Sequence, residues 1–402
     1  ATAIGLSALL VSTSKQMPLC IQELEREGLQ FPVLIGGAAI NRAFGYRALH
    51  VNGLDDEAQY EPGVFYCKDA FEGLHVMDQL VEPEARAQLL AALREDATAF
   101  RLKGDQVEEL DTSDDTVRSA ADTDNPIPEP PFWGMREIKV PLDEVYPYLD
   151  THVLFKLHWG GKGVKGEEWR KLVEGDFLPR LQRMWREQTY LHPRALLGYF
   201  PCYSEGNQIV VLDPEDRDTE LTRFTCPRQP QGDRVCLADF YRPKGHPDGL
   251  DVVAVQAVTV GDEVTELMAK LEADGEFAEQ LFTHGLGVQT AEGLAEWLHA
   301  KVRADLGIAP GQGRRYSWGY PAVPDQAQHE HVDTLLDLSR IGMGLSGGYA
   351  PTPEQSTLAV VAHHPQAFYF GTKQGRLKPA GETSPDDLIK GSPRDPTVLA
   401  GT

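Results

Sequence analysis

The chain has 402 residues, 41% of them hydrophobic and 25% charged, as in soluble globular proteins, and is long enough for two or three domains. Its formal net charge of −23 argues against nucleic acid as a partner, because a binder must neutralise phosphates with Lys and Arg. No run of about 18 apolar residues predicts a membrane span, no basic-then-apolar leader predicts a signal peptide, and the five scattered cysteines (Cys20, Cys67, Cys202, Cys226, Cys236) contain no C-x-x-C pair, so reduced thiols in a cytoplasmic protein are expected.

The chain opens inside an apolar run, Ala3 to Val11, which reads as a buried parallel strand with nothing before it to pair with; a fragment of a longer protein is expected. Ser14 can cap a helix that places Met17, Cys20, Ile21 and Leu24 on one face, and Gly28 can end it. A second strand, 31–35, runs into Gly36-Gly37-Ala38. A weaker helix follows near 40–49, and a third strand at 64–66 precedes a helix from Ala70. Residues 1–90 thus alternate strand and helix, which predicts a parallel sheet with crossover helices. From 91 to 131 the helical pattern fades into an acidic run, Glu108 to Asp124, and then Pro126-Ile127-Pro128-Glu129-Pro130-Pro131. That composition predicts a solvated, semi-extended linker. Residues 132–402 form a further domain, with helices expected at 142–149, 167–187, 263–283, 289–305 and 327–340 and strands at 195–200, 208–212, 252–259 and 356–362. The order is irregular, so this domain is read as α+β.

Gly36-Gly37-Ala38 follows a strand directly, where glycines let a ligand approach the backbone or simply allow a tight turn. Gly344-Leu345-Ser346-Gly347-Gly348 matches G-x-S-x-G but lacks the strand-before, helix-after context of a nucleophile elbow. Gly160-Gly161-Lys162-Gly163 lacks the phosphate-loop frame and reads as a turn. His329 and His331, two apart, point to different helix faces and read as a solvated helix start; His363-His364-Pro365 reads as a packed or turn segment. No metal site is predicted. The densest cluster is Arg315-Tyr316-Ser317-Trp318-Gly319-Tyr320-Pro321. There Arg315 can hold a carboxylate through two parallel hydrogen bonds and aromatic faces can sit over an adenine or a cation, or the arginine can simply stack on its aromatic neighbours.

These residues carry a resemblance. Arg315-x-x-x-Gly319-Tyr320-Pro321 with Pro324 and Asp325 is similar to the R-x-x-x-G-Y-P signature of the activation domain of cobalamin-dependent methionine synthases. In the family's order come Gly198-Tyr199-Phe200-Pro201, Cys236-Leu237-Ala238-Asp239-Phe240, the helix Ala291-Glu292-Gly293-Leu294-Ala295-Glu296-Trp297-Leu298-His299, and Pro353-Glu354-Gln355-Ser356-Thr357 with His364-Pro365 and Tyr369-Phe370. Gly5-Leu6-Ser7-x-Leu9 and Ile35-Gly36-Gly37-Ala38 resemble the S-x-L and G-G motifs of the family's B12-binding domain.

The resemblance implies the second half of a partial Rossmann-like (flavodoxin-like) α/β B12-binding domain over 1–90, the linker over 91–131, and over 132–402 an α+β activation domain with a twisted antiparallel sheet. It implies that Asp150 binds the α-amino group of S-adenosylmethionine and Arg315 its carboxylate, with Gly319, Tyr320, Tyr369 and Phe370 shaping the site. Ser7, Val11 (by its backbone alone), Gly36, Gly37 and Ala70 would contact cobalamin. The D-x-H-x-x-G motif whose His ligates cobalt is expected ahead of residue 1. The implied activity is methyl transfer, in the form of reductive remethylation of cob(II)alamin by S-adenosylmethionine, with no side chain as acid, base or nucleophile. The chain alone is expected to lack the full catalytic machinery. Implied partners are a flavodoxin or flavoprotein reductase and the homocysteine, folate and cap modules of the synthase; a cytoplasmic monomer is expected. The alternative is a stand-alone reactivation or binding module acting in trans on a separate corrinoid protein.

Overall fold

The computed structural model describes residues 2–8, 14, 16–37, 40–54, 56–68, 70–102, 117–229 and 233–370. The chain divides into two compact units, the first made of residues 1–113 with 319–325 and the second of 114–318 with 326–402.

In the first unit, β1 (Ile4–Ser7), β2 (Val33–Gly36) and β3 (Val64–Tyr66) form a parallel sheet in the order β1-β2-β3. The register sets Ser7 beside Gly36 and Ile35 beside Tyr66. The intervening helices α1 (Gln16–Arg26) and α2 (Arg42–Leu49) supply the crossovers that parallel strands need. Asn41 starts α2 by accepting the Phe44 N–H at 2.9 Å. The core gathers Val33 and Ile35 from the central strand with Met17 and Ile21 of α1, Ala48 and Leu49 of α2, and Val64.

Two helices follow, α3 (Ala70–Val81) and α4 (Pro83–Leu102), split where Pro83 removes a backbone donor. The helical pattern that fades near residue 91 in the sequence therefore continues to Leu102. It does so because α4 packs back on α2: Ala97 is fully buried, the Tyr46 and Phe100 rings lie 5.4 Å apart, and Arg101 pairs with Glu57 at 2.7 Å.

The second unit is built on a seven-stranded antiparallel sheet. Its path is β7 (Glu220–Thr225), β6 (Gln208–Leu212), β5 (Arg194–Glu205), β8 (Asp251–Thr259), β12 (Ser356–Ala362) and β9 (Arg314–Ser317), and β4 (Gly134–Lys139) adds to β5. All nine residues of β8 are buried. Each Val on such a strand contributes about 1.5–3 kcal/mol when fully withdrawn from water. Helices α9 (Glu263–Ala273) and α10 (Phe277–Asp305) follow β8, so the break between the two predicted helices falls at residues 274–276 rather than near 284–288. Leu294, Leu298 and Val302 of α10 pack with Val252, Ala254 and Val258 of β8.

Residues 117–131 are not solvated in the manner their composition predicts. Arg118 donates to the carbonyls of Asp239 and Tyr241 at 2.8 and 2.9 Å, the Asp122 N–H donates to Gln366, and Arg242 donates to the Asn125 carbonyl. Ile127 packs against the core of the second unit. The stretch is an extended strap because its backbone groups and one arginine find partners on a folded surface.

Candidate functional site

Arg315 owes its position to β9 and α10. Its strand pairs antiparallel with β12, placing Arg315 opposite Val361. Val361 belongs to the core under α10, and side chains alternate along a strand, so Arg315 lies on the α10 side and Tyr316 on the other. Gly313 leads into the strand with a φ of +74°, and a Cβ there would sit 2.9 Å from the Ala362 carbonyl oxygen; only glycine meets both demands.

On α10, Glu292 and Glu296 lie one turn apart on one face, within reach of the guanidinium. Arg315 Nη2 donates to Glu292 Oε2 at 3.2 Å and to Glu296 Oε1 at 3.0 Å, and its Nε donates to the same Glu296 oxygen at 3.2 Å. Burial works against the charge on Arg315, but the two carboxylates outweigh it and hold its pKa above the ordinary value. Burial likewise opposes ionisation of Glu296, yet His299 and Arg315 bring its pKa down to about 2. His299, 1% exposed, stands with Nδ1 3.6 Å from Glu296 Oε2; burial is the main reason its pKa is lowered, so the ring is neutral near pH 7. The Tyr369 hydroxyl, its pKa raised chiefly by burial, lies within the influence of both Glu296 and Arg315.

The structure brings Arg315 together with Tyr369 but not with Phe370, which packs against Tyr316 and Phe240. The Tyr369 ring centroid is 5.7 Å from that of Tyr316, Phe370 is 6.2 Å from the same ring, and the Tyr316 hydroxyl donates to the Phe368 carbonyl. Asp150 is exposed and caps the short helix Thr151–Val153 by accepting the Val153 N–H at 2.9 Å. Two residues earlier, the Tyr148 backbone lies against Gly293, so the Asp150 turn packs on the same part of α10 that carries Glu292 and Glu296. Gly319 and Tyr320 form a tight turn in which the Gly319 N–H donates to the Val323 carbonyl, and Tyr320 is 51% exposed. The two carboxylates on Arg315 were not picked out as site residues from the sequence, although their i, i+4 spacing was visible; pairing depends on which strand passes α10.

Residues 142–377, more than half of the chain, match the family described as vitamin B12 dependent methionine synthase, activation domain. The chain belongs to that family. Methionine synthases of Mycobacterium leprae (strain TN) and Mycobacterium tuberculosis (strain ATCC 25618 / H37Rv) are each 32% identical to it, over 421 and 418 aligned residues. Each alignment takes in 92% of this chain but 34% of the relative, so the chain spans about a third of their length. Among solved structures, the crystal structure of the MetH reactivation domain bound to AdoHcy is similar over 62% of this chain and 85% of that one, with a TM-score of 0.56 and 27% identity.

Several motifs of this activation-domain family prove to be joints of the fold. Asp239, from Cys236-Leu237-Ala238-Asp239-Phe240, makes a two-pronged pair with Arg228 at 2.6 and 2.8 Å, and neither side chain has any exposed surface. His364 donates from Nε2 to the Asp122 carbonyl and accepts the Gln366 N–H at Nδ1, and His363 bonds to Asp251 at 2.7 Å. His329 departs from expectation: it is 3% exposed, packed on Trp318 with ring centroids 5.5 Å apart, because α11 (His329–Leu336) is docked on the sheet rather than solvated. Gly344-Leu345 and Pro351-Thr352 form a small hairpin, not an elbow before a helix.

Among the described residues one group could hold a metal ion, Asp124, His246 and Asp248, whose ligand atoms lie within 4.8 Å of one another. Arg242 stands 3.9 Å from Asp248, and His246 Nδ1 accepts the Asp248 N–H.

In the first unit, Ser7 and Gly36 are register partners at the carboxyl ends of β1 and β2. Gly37 has a φ of +108°, and a Cβ on it would lie 2.2 Å from the Ala8 carbonyl oxygen, so the two strand ends meet backbone to backbone. Ala70 opens α3 after β3. Val11 lies outside the described residues.

Proposed function

We propose that this chain is the C-terminal region of a cobalamin-dependent methionine synthase, that its second unit binds S-adenosylmethionine, and that it serves the reductive remethylation of cob(II)alamin. The observation that carries this reading is Arg315, held between α10 and Tyr369 in a unit similar to a reactivation domain with AdoHcy bound. The donor set suits the ligand: Arg315 for the carboxylate, Asp150 for the α-amino group and Tyr369 as a planar surface, with Gly319, Tyr320 and Phe370 carried over from the family resemblance alone. These groups bind and orient; the rate gain they offer is positional, and no side chain needs to act as acid, base or nucleophile.

The proposed divisions are 1–90 for the C-terminal half of a flavodoxin-like cobalamin-binding domain, 91–131 for the connection, and 132–402 for the activation domain. Ser7, Gly36 and Gly37 at the strand ends would line the slot for the cobalamin tail, where open parallel sheets hold ligands, and Ala70 and the backbone of Val11 would add contacts to the cofactor. Cobalamin, when bound, supplies the cobalt that carries the methyl group. A flavodoxin or flavoprotein reductase would supply the electron, and the homocysteine, folate and cap modules the remaining steps, in the cytoplasm. Among the described residues no helix is long and apolar enough to cross a membrane.

Calorimetric titration of S-adenosylmethionine into this chain and an Arg315→Ala variant tests the reading. Saturable binding that the variant weakens by roughly ten- to hundredfold is expected, the size of a lost charge-assisted pair. A folded wild-type chain that binds nothing would sink it.

A further inference from the structure

Arg315 has two carboxylate partners, and they are not equivalent. Glu292 touches the guanidinium once, at Nη2. Glu296 uses a single oxygen, Oε1, to accept from both Nε and Nη2, and so clasps one edge of the planar fork. The other oxygen of Glu296 faces His299, which is buried and neutral and backs the carboxylate without taking its charge. A guanidinium gripped along its Nε–Nη2 edge has its plane and direction fixed. That leaves Nη1 as the nitrogen of the fork with no hydrogen bond among the described residues.

We infer that Glu296 is a positioning residue: it aims Arg315 so that the Nη1 side of the fork meets a ligand carboxylate. The inference rests on the S-adenosylmethionine reading above. A long arginine side chain freed from this clasp samples many rotamers, and ordering one on binding costs about 0.5–1.5 kcal/mol. Glu296 removes that cost before the ligand arrives, as a fixed shell does for any preorganised site.

Two ligands separate aim from mere support. S-adenosylmethionine carries the carboxylate; 5′-methylthioadenosine keeps the adenosine and the thioether methyl but has no amino-acid part. The full chain is titrated with each, as wild type, as Glu296→Met, which keeps the stem but has no oxygen, and as Glu296→Gln, which keeps the acceptor. Met is expected to weaken S-adenosylmethionine about tenfold and leave methylthioadenosine within twofold, and Gln to restore the carboxylate ligand to within threefold of wild type. Equal losses for both ligands, no loss for either, or a Gln variant no better than Met would overturn the inference while leaving the binding reading intact. Should Met fail to fold in a thermal melt, Glu296→Ala, in a helix interior where Ala is favoured, takes its place with the same criteria. A wild-type chain that does not bind S-adenosylmethionine overturns both.

Discussion

The parallel strands of the first unit run four, four and three residues, whereas β5 of the second unit alone runs twelve and pairs with three other strands. Every residue of β8 is buried; β1 alternates between half-buried and exposed. The small parallel sheet draws its burial from the helices that wrap it. The large antiparallel sheet draws its burial from its own strands and from α10, and it adds buried polar joints such as Arg228–Asp239 and His363–Asp251. Where a unit stores its stability decides which substitutions it feels. The second unit should outlast the first in urea, and each of the following changes should move one transition and spare the other.

The largest effect is expected from Asp239→Ala. It leaves the buried Arg228 charge without its carboxylate and should cost the second unit about 3–5 kcal/mol, read from the upper transition of a urea titration. A loss under about 1 kcal/mol would mean that water reaches Arg228 once the carboxylate is gone. Next comes Ile35→Ala on the central strand of the first unit, where full burial predicts a loss of about 2–4 kcal/mol confined to the lower transition. If both transitions shift together, the two units unfold as one. Gly37→Ala should follow at about 1–3 kcal/mol, again in the first unit, because the new Cβ meets the Ala8 backbone and the positive φ strains any side chain.

The smallest effect is the pH dependence. Burial lowers the pKa values of His299 and His364 below the ordinary 6.5. The unfolded chain therefore takes up protons that the folded second unit refuses. Stability is full above about pH 6.5 and falls as the pH drops below it, by at most ~1.4 kcal/mol per pH unit for each histidine. Melting the second unit between pH 7.5 and 5.5 checks this. His364→Leu should flatten the slope, and an unchanged slope would assign it to other groups.

Much of this was legible in the sequence. The βαβ order of residues 1–81 and the apolar strands β5, β6, β8 and β12 follow from periodicity, because their burial is nearly uniform or cleanly alternating. The strands that sequence reading missed, β4, β7 and β9, are rich in charged and polar residues. Gly-Met-Arg-Glu-Ile-Lys and Arg-Arg-Tyr-Ser become strands only because a partner strand lies beside them. The strap over 117–131 was illegible for a related reason. Acidic and proline-rich composition signals solvation, and nothing local reveals that Arg118 has a row of carbonyls waiting. At the site, Arg315 stood out by its aromatic neighbours, whereas Glu292 and Glu296 looked like an ordinary solvated helix face until the fold set β9 beside them.

The place of β12 in the sheet has a consequence for biosynthesis. It fills the edge of β8 and carries β9, yet Ser356 bonds to Thr259 across 97 residues of chain. A ribosome adding about 5–20 residues per second spends roughly 5–20 s between the two. During that interval a strand buried along its whole length in the folded protein has one side unfilled, an exposed template for a neighbouring nascent chain. The growing polypeptide therefore depends on β12 to close the sheet, and truncation just ahead of Ser356 should yield aggregates rather than a smaller folded protein.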